Sequence, residues 1–165
     1  MKAITIWQPW ASLIACGAKK YETRGWATSY RGPIAIHAAL RSEISAETKE
    51  ALASIPLETL ADMKKAFRCE WGELPKGAVI ATANLVNVWA IIYEPDMSIS
   101  GRLITPDRTL DERNAIIVPT EQEKAFGDWT PGRFAWELDD VKILDAPLMA
   151  KGKQGLWNWE PKEGV

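Results

Sequence analysis

The chain has 165 residues, of which 47% are hydrophobic and 25% are charged. These values are typical of a folded globular domain, and they exclude collagen-like, low-complexity and disordered chains. The formal net charge is −2, whereas proteins that bind duplex nucleic acid without sequence preference usually carry a basic excess. Any nucleic-acid binding must therefore rest on a local basic patch or on a pocket for one base or nucleotide.

Residues suited to metal binding are few. Two cysteines, Cys16 and Cys69, and one histidine, His37, do not supply a zinc site, so we expect neither a metal nor another cofactor. Isolated cysteines are typical of free thiols in a reducing compartment, although a disulfide between these two stays open. The first residues lack the apolar region of a signal peptide, and the longest uncharged stretch, 77–93, is too polar for a membrane span. We expect a cytoplasmic protein without a membrane partner.

The first forty residues predict three strands and one helix. Lys2–Ile6 is apolar and β-branched, which favours a strand. Pro9 suits the first position of a helix, and Gly17 suits its end. Residues 19–26 alternate and predict a second strand, and residues 34–38 predict a third strand after a turn.

The rest of the chain predicts two long strands among helices and loops. In chain order, we expect helices over 45–54 and 58–68, a buried strand over 77–92, a loop over 93–119 with a short helix near 107–114, a helical turn over 121–126, a strand over 132–144, and a short final strand over 155–159. The fold class is α+β, a small barrel of about five or six mostly antiparallel strands with helices after the first and third strands.

The densest polar cluster, residues 17–24, directly follows the first predicted helix. Side chains two residues apart on a strand share a face, so we expect Lys20, Glu22 and Arg24 on one face. Lys19, Tyr21 and Thr23 would lie on the other face. The first face could line a cleft, or it could be a solvated strand face with a ladder of salt bridges.

Two further features have two interpretations each. His37, on the third predicted strand, is either a structural hydrogen-bonding residue or a contact for a substrate. The segment Gly152-Lys153-Gln154-Gly155 is either an ordinary turn or a loop that contacts phosphate. The sequence contains no P-loop, dinucleotide-binding or nucleophile-elbow motif.

Tryptophan is over-represented, with nine residues against three Phe and three Tyr. Trp89 and Trp136 lie on predicted apolar strands, which favours core positions. Trp7, Trp10 and Trp26 bracket the polar cluster, and an indole beside Arg or Lys can stack a base. Core packing is the alternative for each of these three.

Three separated segments resemble the ASCH domain family of the PUA-like superfamily. They are residues 4–14 (ITIWQPWASLI), the pattern G-x-K-x-x-E-x-R over residues 17–24, and residues 32–38 (GPIAIHA). Residues 126–127, 132–136 and 152–157 are similar as well. The resemblance implies one PUA-like β-barrel domain over residues 1–165, with insertions near 42–75 and 93–118.

The resemblance also implies a cleft that binds RNA, single-stranded nucleic acid or a nucleotide. A local basic patch would come from Lys19, Lys20, Arg24, Arg31, Lys151 and Lys153. The cleft would be walled by Trp7, Trp10, Trp26, Trp157 and Trp159. The candidate ligand-binding residues are Trp7, Lys19, Lys20, Glu22, Arg24, Trp26, His37 and Lys153.

Two other functions stay open. Some similar proteins are amidohydrolases of N4-acetylcytidine that use a lysine, a threonine nucleophile and a glutamate, and others are suspected ribonucleases. Lys19 matches that lysine, but Glu22 stands where the threonine would be, and Thr23 is expected on the opposite face. In a metal-independent hydrolase, Lys19 would stabilise charge and Glu22 would be the general base. A protein–protein adaptor with an ion-pair core is the last interpretation.

Overall fold

The structure is a computed structural model that describes residues 1–41, 53, 55–67, 73–94, 98–103 and 116–160. In this part of the chain the strands are β1 (Lys2–Ile6), β2 (Tyr21–Arg24), β3 (Gly32–Ala38), β4 (Ala78–Tyr93), β5 (Ile99–Leu103), β6 (Ile116–Ile117), β7 (Phe134–Met149) and β8 (Leu156–Asn158). The helices are α1 (Trp10–Ala15), α2 (Leu57–Phe67) and α3 (Glu121–Ala125). No helix of the described residues is long and apolar enough to cross a bilayer.

The strands form one mixed sheet in the order β2-β7-β4-β3-β1-β8, with β5 paired to β4 and β6 paired to β5. β1 is parallel to β3, whereas the pairs β1–β8, β2–β7, β4–β5 and β5–β6 are antiparallel. Over the described ranges this path stays open between β2 and β8. The predicted α+β class is confirmed, and the closed barrel is not.

The predicted long strands correspond to β4 and β7, and β7 continues to Met149. The loop predicted over 93–119 is wrong at β5 and β6. β5 is a strand because it pairs with β4, from Ile99 opposite Tyr93 to Leu103 opposite Trp89, and such a long-range partner is invisible in a local pattern. The helix predicted over 45–54, apart from residue 53, and the short helix near 107–114 lie outside the described residues.

Chain contacts divide the protein into two compact units. Unit 1 comprises Met1–Lys19, Pro33–Ala83 and Asp140–Val165, and unit 2 comprises Lys20–Gly32 and Asn84–Asp139. One core cluster of unit 1 contains Ala3, Ala35, Val79, Trp157 and Trp159. A core cluster of unit 2 contains Trp89, Ile91, Trp129 and Ala135, with Tyr21, Ile99 and Ile117 packed against it.

Helix α1 is short, and five of its six residues are buried. The buried side chain of Gln8 fastens its start, because Oε1 accepts from the backbone N–H of Ser12 and Nε2 donates to the carbonyl of Pro75. The helix ends where the backbone N–H of Gly17 donates to Ile14 and that of Lys19 donates to Leu13. Gly17 has a φ of +81°, a left-handed conformation that glycine adopts without strain. This turn leads from α1 into the polar cluster.

Candidate nucleic-acid interface

Lys19 is the first charged residue after the turn at Gly17, and its side chain is directed into the protein. Only 1% of the residue is exposed. An ammonium group that leaves water at this depth needs polar or charged partners, since an unpaired buried charge is very unfavourable. Lys19 is therefore built into the interior of the protein and is not part of a solvated charge run.

Glu22 and Arg24 form an ion pair on one face of β2. Arg24 Nε lies 3.1 Å from Glu22 Oε1, and the Glu22 side chain is largely buried whereas a quarter of the Arg24 side chain is exposed. The prediction that these two residues share a face is confirmed. The contact is an ion pair at the Nε atom, which is itself buried, and a quarter of the Arg24 side chain reaches solvent.

Two tryptophans adjoin this ion pair. Glu22 lies opposite Trp136 in the β2–β7 ladder, so their side chains are neighbours on the same face. Trp136 is fully buried, as predicted for a core residue, and its indole N–H donates to the carbonyl of Trp26 at 3.2 Å. The Trp26 ring meets the Trp136 ring edge to face with 4.5 Å between centroids, yet Trp26 remains 37% exposed. Unit 2 thus has a partly exposed indole packed on a buried one, two residues along the chain from the paired Arg24.

The ammonium group of Lys20 binds Glu137. Its Nζ lies 2.8 Å from Oε1 of Glu137, a residue that stands opposite Tyr21 in the ladder, and 5.7 Å from the centre of the Tyr21 ring. We expected Lys20 on one strand face with Glu22 and Arg24, but β2 begins at Tyr21 and the ammonium of Lys20 binds Glu137. The four-carbon side chain of Lys20 is long and flexible enough for its ammonium to reach the carboxylate of Glu137.

The backbone of Lys20 is also fixed at both ends. Its N–H donates to Oε1 of Glu123 at 2.6 Å, and its carbonyl accepts from the N–H of Leu138 at 3.0 Å. The bond to Glu137 raises the pKa of the ammonium above its ordinary value, more than burial lowers it. Lys20 stays charged and bound to Glu137 at neutral pH.

Glu137 is a buried carboxylate that sequence reasoning missed. Its Oε2 accepts from Asn87 Nδ2 and from Trp89 Nε1, each at 2.9 Å. Burial raises the pKa of Glu137, but the hydrogen bonds from Lys20, Asn87 and Trp89 outweigh it and hold the pKa below its usual range. In the sequence, the indication of a buried carboxylate is the position of Glu137 between the apolar residues Trp136 and Leu138. Trp89 is buried, as predicted.

Thr23 lies on the face of β2 opposite to Glu22, as predicted. Its Oγ1 accepts from the backbone N–H of Asp128 at 3.0 Å. A Cβ added to Gly127 would lie 3.1 Å from Thr23 Cγ2, so the threonine is closely packed. The hydroxyl is thus engaged in holding the segment that follows α3.

His37 is held in the interior of unit 1. Its Nε2 lies 2.9 Å from the carbonyl oxygen of Ala150, and its ring meets Trp157 edge to face with centroids 5.7 Å apart. The residue is 1% exposed. Burial lowers the pKa of His37, and the bond to Ala150 only partly offsets this effect. These contacts agree with the structural interpretation of this histidine.

The other tryptophans of the expected cleft differ in burial. Trp157 and Trp159 belong to a core cluster of unit 1, so the prediction that they wall a cleft is wrong. β8 pairs with β1 at the end of the sheet, with Trp157 opposite Ala3 of the same core cluster, and the N–H of Trp159 donates to the carbonyl of Met1. Trp7 is 55% exposed. Lys153, which belongs to unit 1, is exposed and its carbonyl accepts from Thr5 Oγ1.

Comparison with protein families matches residues 4–100 to the model of the ASCH domain. This range includes the turn at Gly17 and strand β2, with the ion pair between Glu22 and Arg24. It ends before α3 and β7, which carry Glu123 and Glu137. No curated protein sequence matches the chain.

Proposed function

Because the chain belongs to the ASCH domain family, we propose that it binds RNA or a short single-stranded nucleic acid, with the Glu22–Arg24 face of β2 as the contact surface. The observation that carries the proposal is the partly exposed Trp26, packed edge to face on the buried Trp136. Bases of single strands stack on such indoles. Membership in the family is consistent with RNA binding.

The roles of the three contact residues follow from their chemistry. Trp26 offers a flat apolar surface on which one base stacks. Arg24, oriented by Glu22, donates to a phosphate or to the edge of a base. Glu22 keeps the arginine in place and accepts from an amino group of the base. The net charge of −2 favours a short ligand over a long duplex, because duplex binding relies on many phosphate contacts.

The other candidate residues differ in burial. Lys19 and His37 are almost completely buried, and in a binding protein we propose that they hold their own segments in place. Lys20, bound to Glu137, keeps β2 in register with β7. Trp7 and Lys153 are exposed residues of unit 1 and are proposed as separate ligand contacts of that unit.

Binding of labelled single-stranded RNA, followed by fluorescence anisotropy, tests the proposal. Trp26→Ala should weaken binding by about 1–3 kcal/mol, the value of one base stacked on an aromatic ring. Trp26→Phe should retain most of the affinity, and Arg24→Met should lower it. Lys142→Met is the control, since Lys142 is an exposed lysine paired with Asp140. Equal affinities for Trp26→Ala, Arg24→Met and the wild type would contradict the proposal.

A metal-independent hydrolase acting on RNA or on an N4-acylated cytidine is the second candidate function. It is supported by the burial of two titratable side chains of the signature, Lys19 and Glu22, since catalytic groups are often partly desolvated. Glu22 would be the general base and Lys19 the electrostatic stabiliser. In that case Glu22→Gln binds substrate without turning it over, as judged by product analysis.

If every variant lowers only the thermal stability and no ligand binds, the protein–protein adaptor interpretation replaces both the nucleic-acid-binding and the hydrolase functions.

A further inference from the structure

The loop between β7 and β8, residues 150–155, is fastened to the interior of unit 1 by two of its carbonyl groups. His37 Nε2 lies 2.9 Å from the carbonyl oxygen of Ala150, and Thr5 Oγ1 donates to the carbonyl of Lys153 at 2.9 Å. The indole N–H of Trp157 donates to the same Thr5 oxygen at 3.2 Å. The loop is therefore held by side chains that the core itself keeps in place.

Gly152 brings the loop backbone directly against the ring of His37. A Cβ at this position would lie 2.5 Å from His37 Cε1, 2.8 Å from Nδ1 and 2.9 Å from Thr5 Oγ1. Carbon atoms do not approach other heavy atoms so closely without displacement. Only glycine allows this close approach of the backbone to His37. The contact in turn restricts the backbone conformations that Gly152 can adopt.

The outer side of the loop is basic and open. Lys151, Lys153, Gln154 and Gly155 are exposed. Gly155 has a φ of +67°, and a Cβ there would meet no atom within 4 Å. The sequence has no acidic residue between Asp145 and Glu160. In a protein with a net charge of −2, this segment is a locally positive surface.

We propose that the loop 150–155 binds a phosphate group. The ammonium groups of Lys151 and Lys153 and the backbone N–H groups of Gly152 and Gly155 are the donors. Glycines let a backbone approach phosphate oxygens closely, and turns with a left-handed residue can form anion-binding concavities. Because the loop is already held by His37 and Thr5, little conformational entropy is lost on binding. The ligand is a phosphate monoester or diester, which a nucleotide, an RNA terminus or an RNA backbone can supply.

Titration with sodium pyrophosphate, followed through the backbone amide resonances, tests the loop without any nucleic acid. We expect the amides of residues 151–155 to shift at millimolar pyrophosphate in the wild type and to stay unchanged in Lys151→Met/Lys153→Met. Lys142→Met, which removes an exposed lysine of β7, should behave like the wild type. Absence of loop shifts, or equal shifts in the double variant, would overturn the proposal.

Single-stranded RNAs with a 5′-phosphate and with a 5′-hydroxyl distinguish the sources of the phosphate. If a backbone phosphate binds, each lysine substitution reduces the slope of log affinity against log salt by about 0.7 for both RNAs. If a terminal phosphate binds, the lysine substitutions weaken the binding of the 5′-phosphorylated RNA only. If RNA binding responds to Trp26→Ala but the loop variants change neither RNA nor pyrophosphate binding, the loop proposal fails and the proposed function stands. If pyrophosphate binds the loop but RNA does not bind the protein, the loop proposal stands and the proposed function fails.

Thr5→Val tests whether the loop binds phosphate through its fixed backbone conformation or only through the charges of its lysines. The substitution retains both lysines but removes the hydroxyl that holds the carbonyl of Lys153. We expect the pyrophosphate affinity to fall several-fold. An unchanged affinity would overturn the part of the proposal that assigns the binding to a pre-formed backbone.

Discussion

Trp89 donates its indole N–H to Oε2 of Glu137 at 2.9 Å, inside the core cluster of unit 2. Asn87 donates to the same oxygen, and Lys20 binds the other one. A single carboxylate thus binds three donors, two of them from β4 and the third from Lys20. Glu137 is therefore the shared acceptor of an indole that belongs to the core cluster, an amide and an ammonium group.

Glu137→Ala should destabilise unit 2, because it leaves the donors of Trp89 and Asn87 without an acceptor. The buried donor of Trp89 left unpaired costs about 1–3 kcal/mol, and the partly buried Asn87 and the half-exposed Lys20 add less because solvent reaches them. Urea unfolding followed by circular dichroism measures the loss. Glu121→Gln is the matched control, since its ion pair with Lys124 is exposed and should leave the stability unchanged. Similar unfolding midpoints for the two variants would contradict the role of Glu137.

Stability should fall as the pH drops below 6.5 because of His37. Burial lowers the pKa of this imidazole in the folded protein from its ordinary value of 6.5. In the window between the two pKa values the unfolded chain binds a proton that the folded chain does not, so the free energy of unfolding decreases towards lower pH. His37 is the only histidine of the sequence, so no other imidazole titrates in this window.

Urea unfolding of the wild type and of His37→Gln between pH 8 and pH 5 measures this effect. The wild type should lose stability relative to the variant as the pH falls below 6.5, and the difference should become constant once the pH is below the folded pKa. Parallel curves over the whole range would show that His37 has the same pKa in both states.

Gly152→Ala should destabilise the protein although glycine to alanine usually stabilises a chain. The added methyl group would overlap His37 and Thr5, and overpacking of this kind costs about 1–3 kcal/mol. Gly25→Ala is the control, because the nearest atom to its Cβ position is 3.9 Å away. Thermal unfolding compares the two variants, and a Gly152→Ala protein as stable as Gly25→Ala would refute the close packing of the loop on His37.

Thr23→Val should reduce stability by about 1 kcal/mol, because the backbone N–H of Asp128 loses its acceptor. Thr23→Ser keeps the hydroxyl and should stay close to the wild type. Neither variant should change RNA binding or any hydrolysis. Loss of turnover in Thr23→Val at unchanged stability would instead identify Thr23 as a nucleophile.

The sequence is informative where a side chain follows the regular period of its strand. Glu22 and Arg24 share a face because β2 alternates strictly, and Thr23 lies on the other face for the same reason. β4 was predictable from its composition rich in Val, Ile and Ala, and β7 from its alternation of apolar and polar residues. Trp89 and Trp136 were predictable as core residues because each lies on one of these strands.

The remaining features depend on partners that are distant in the sequence. Lys20 turns to Glu137 because of the β2–β7 register, which no local pattern contains. β5 and β6 exist as strands because β4 offers an edge to β5. Trp157 is drawn inward because β8 lies beside β1, and its aromatic character alone could not separate a core position from a ligand contact.

The contact between Trp26 and Trp136 also provides an internal optical probe. One indole of the pair is accessible to a dissolved quencher such as iodide, and the other is fully buried. Among the tryptophans of the described residues only Trp7 and Trp26 are exposed, so in a Trp7→Phe background Trp26 is the most exposed of them. A ligand that covers Trp26 would shield that emission from iodide, so occupancy can be followed on the unlabelled protein.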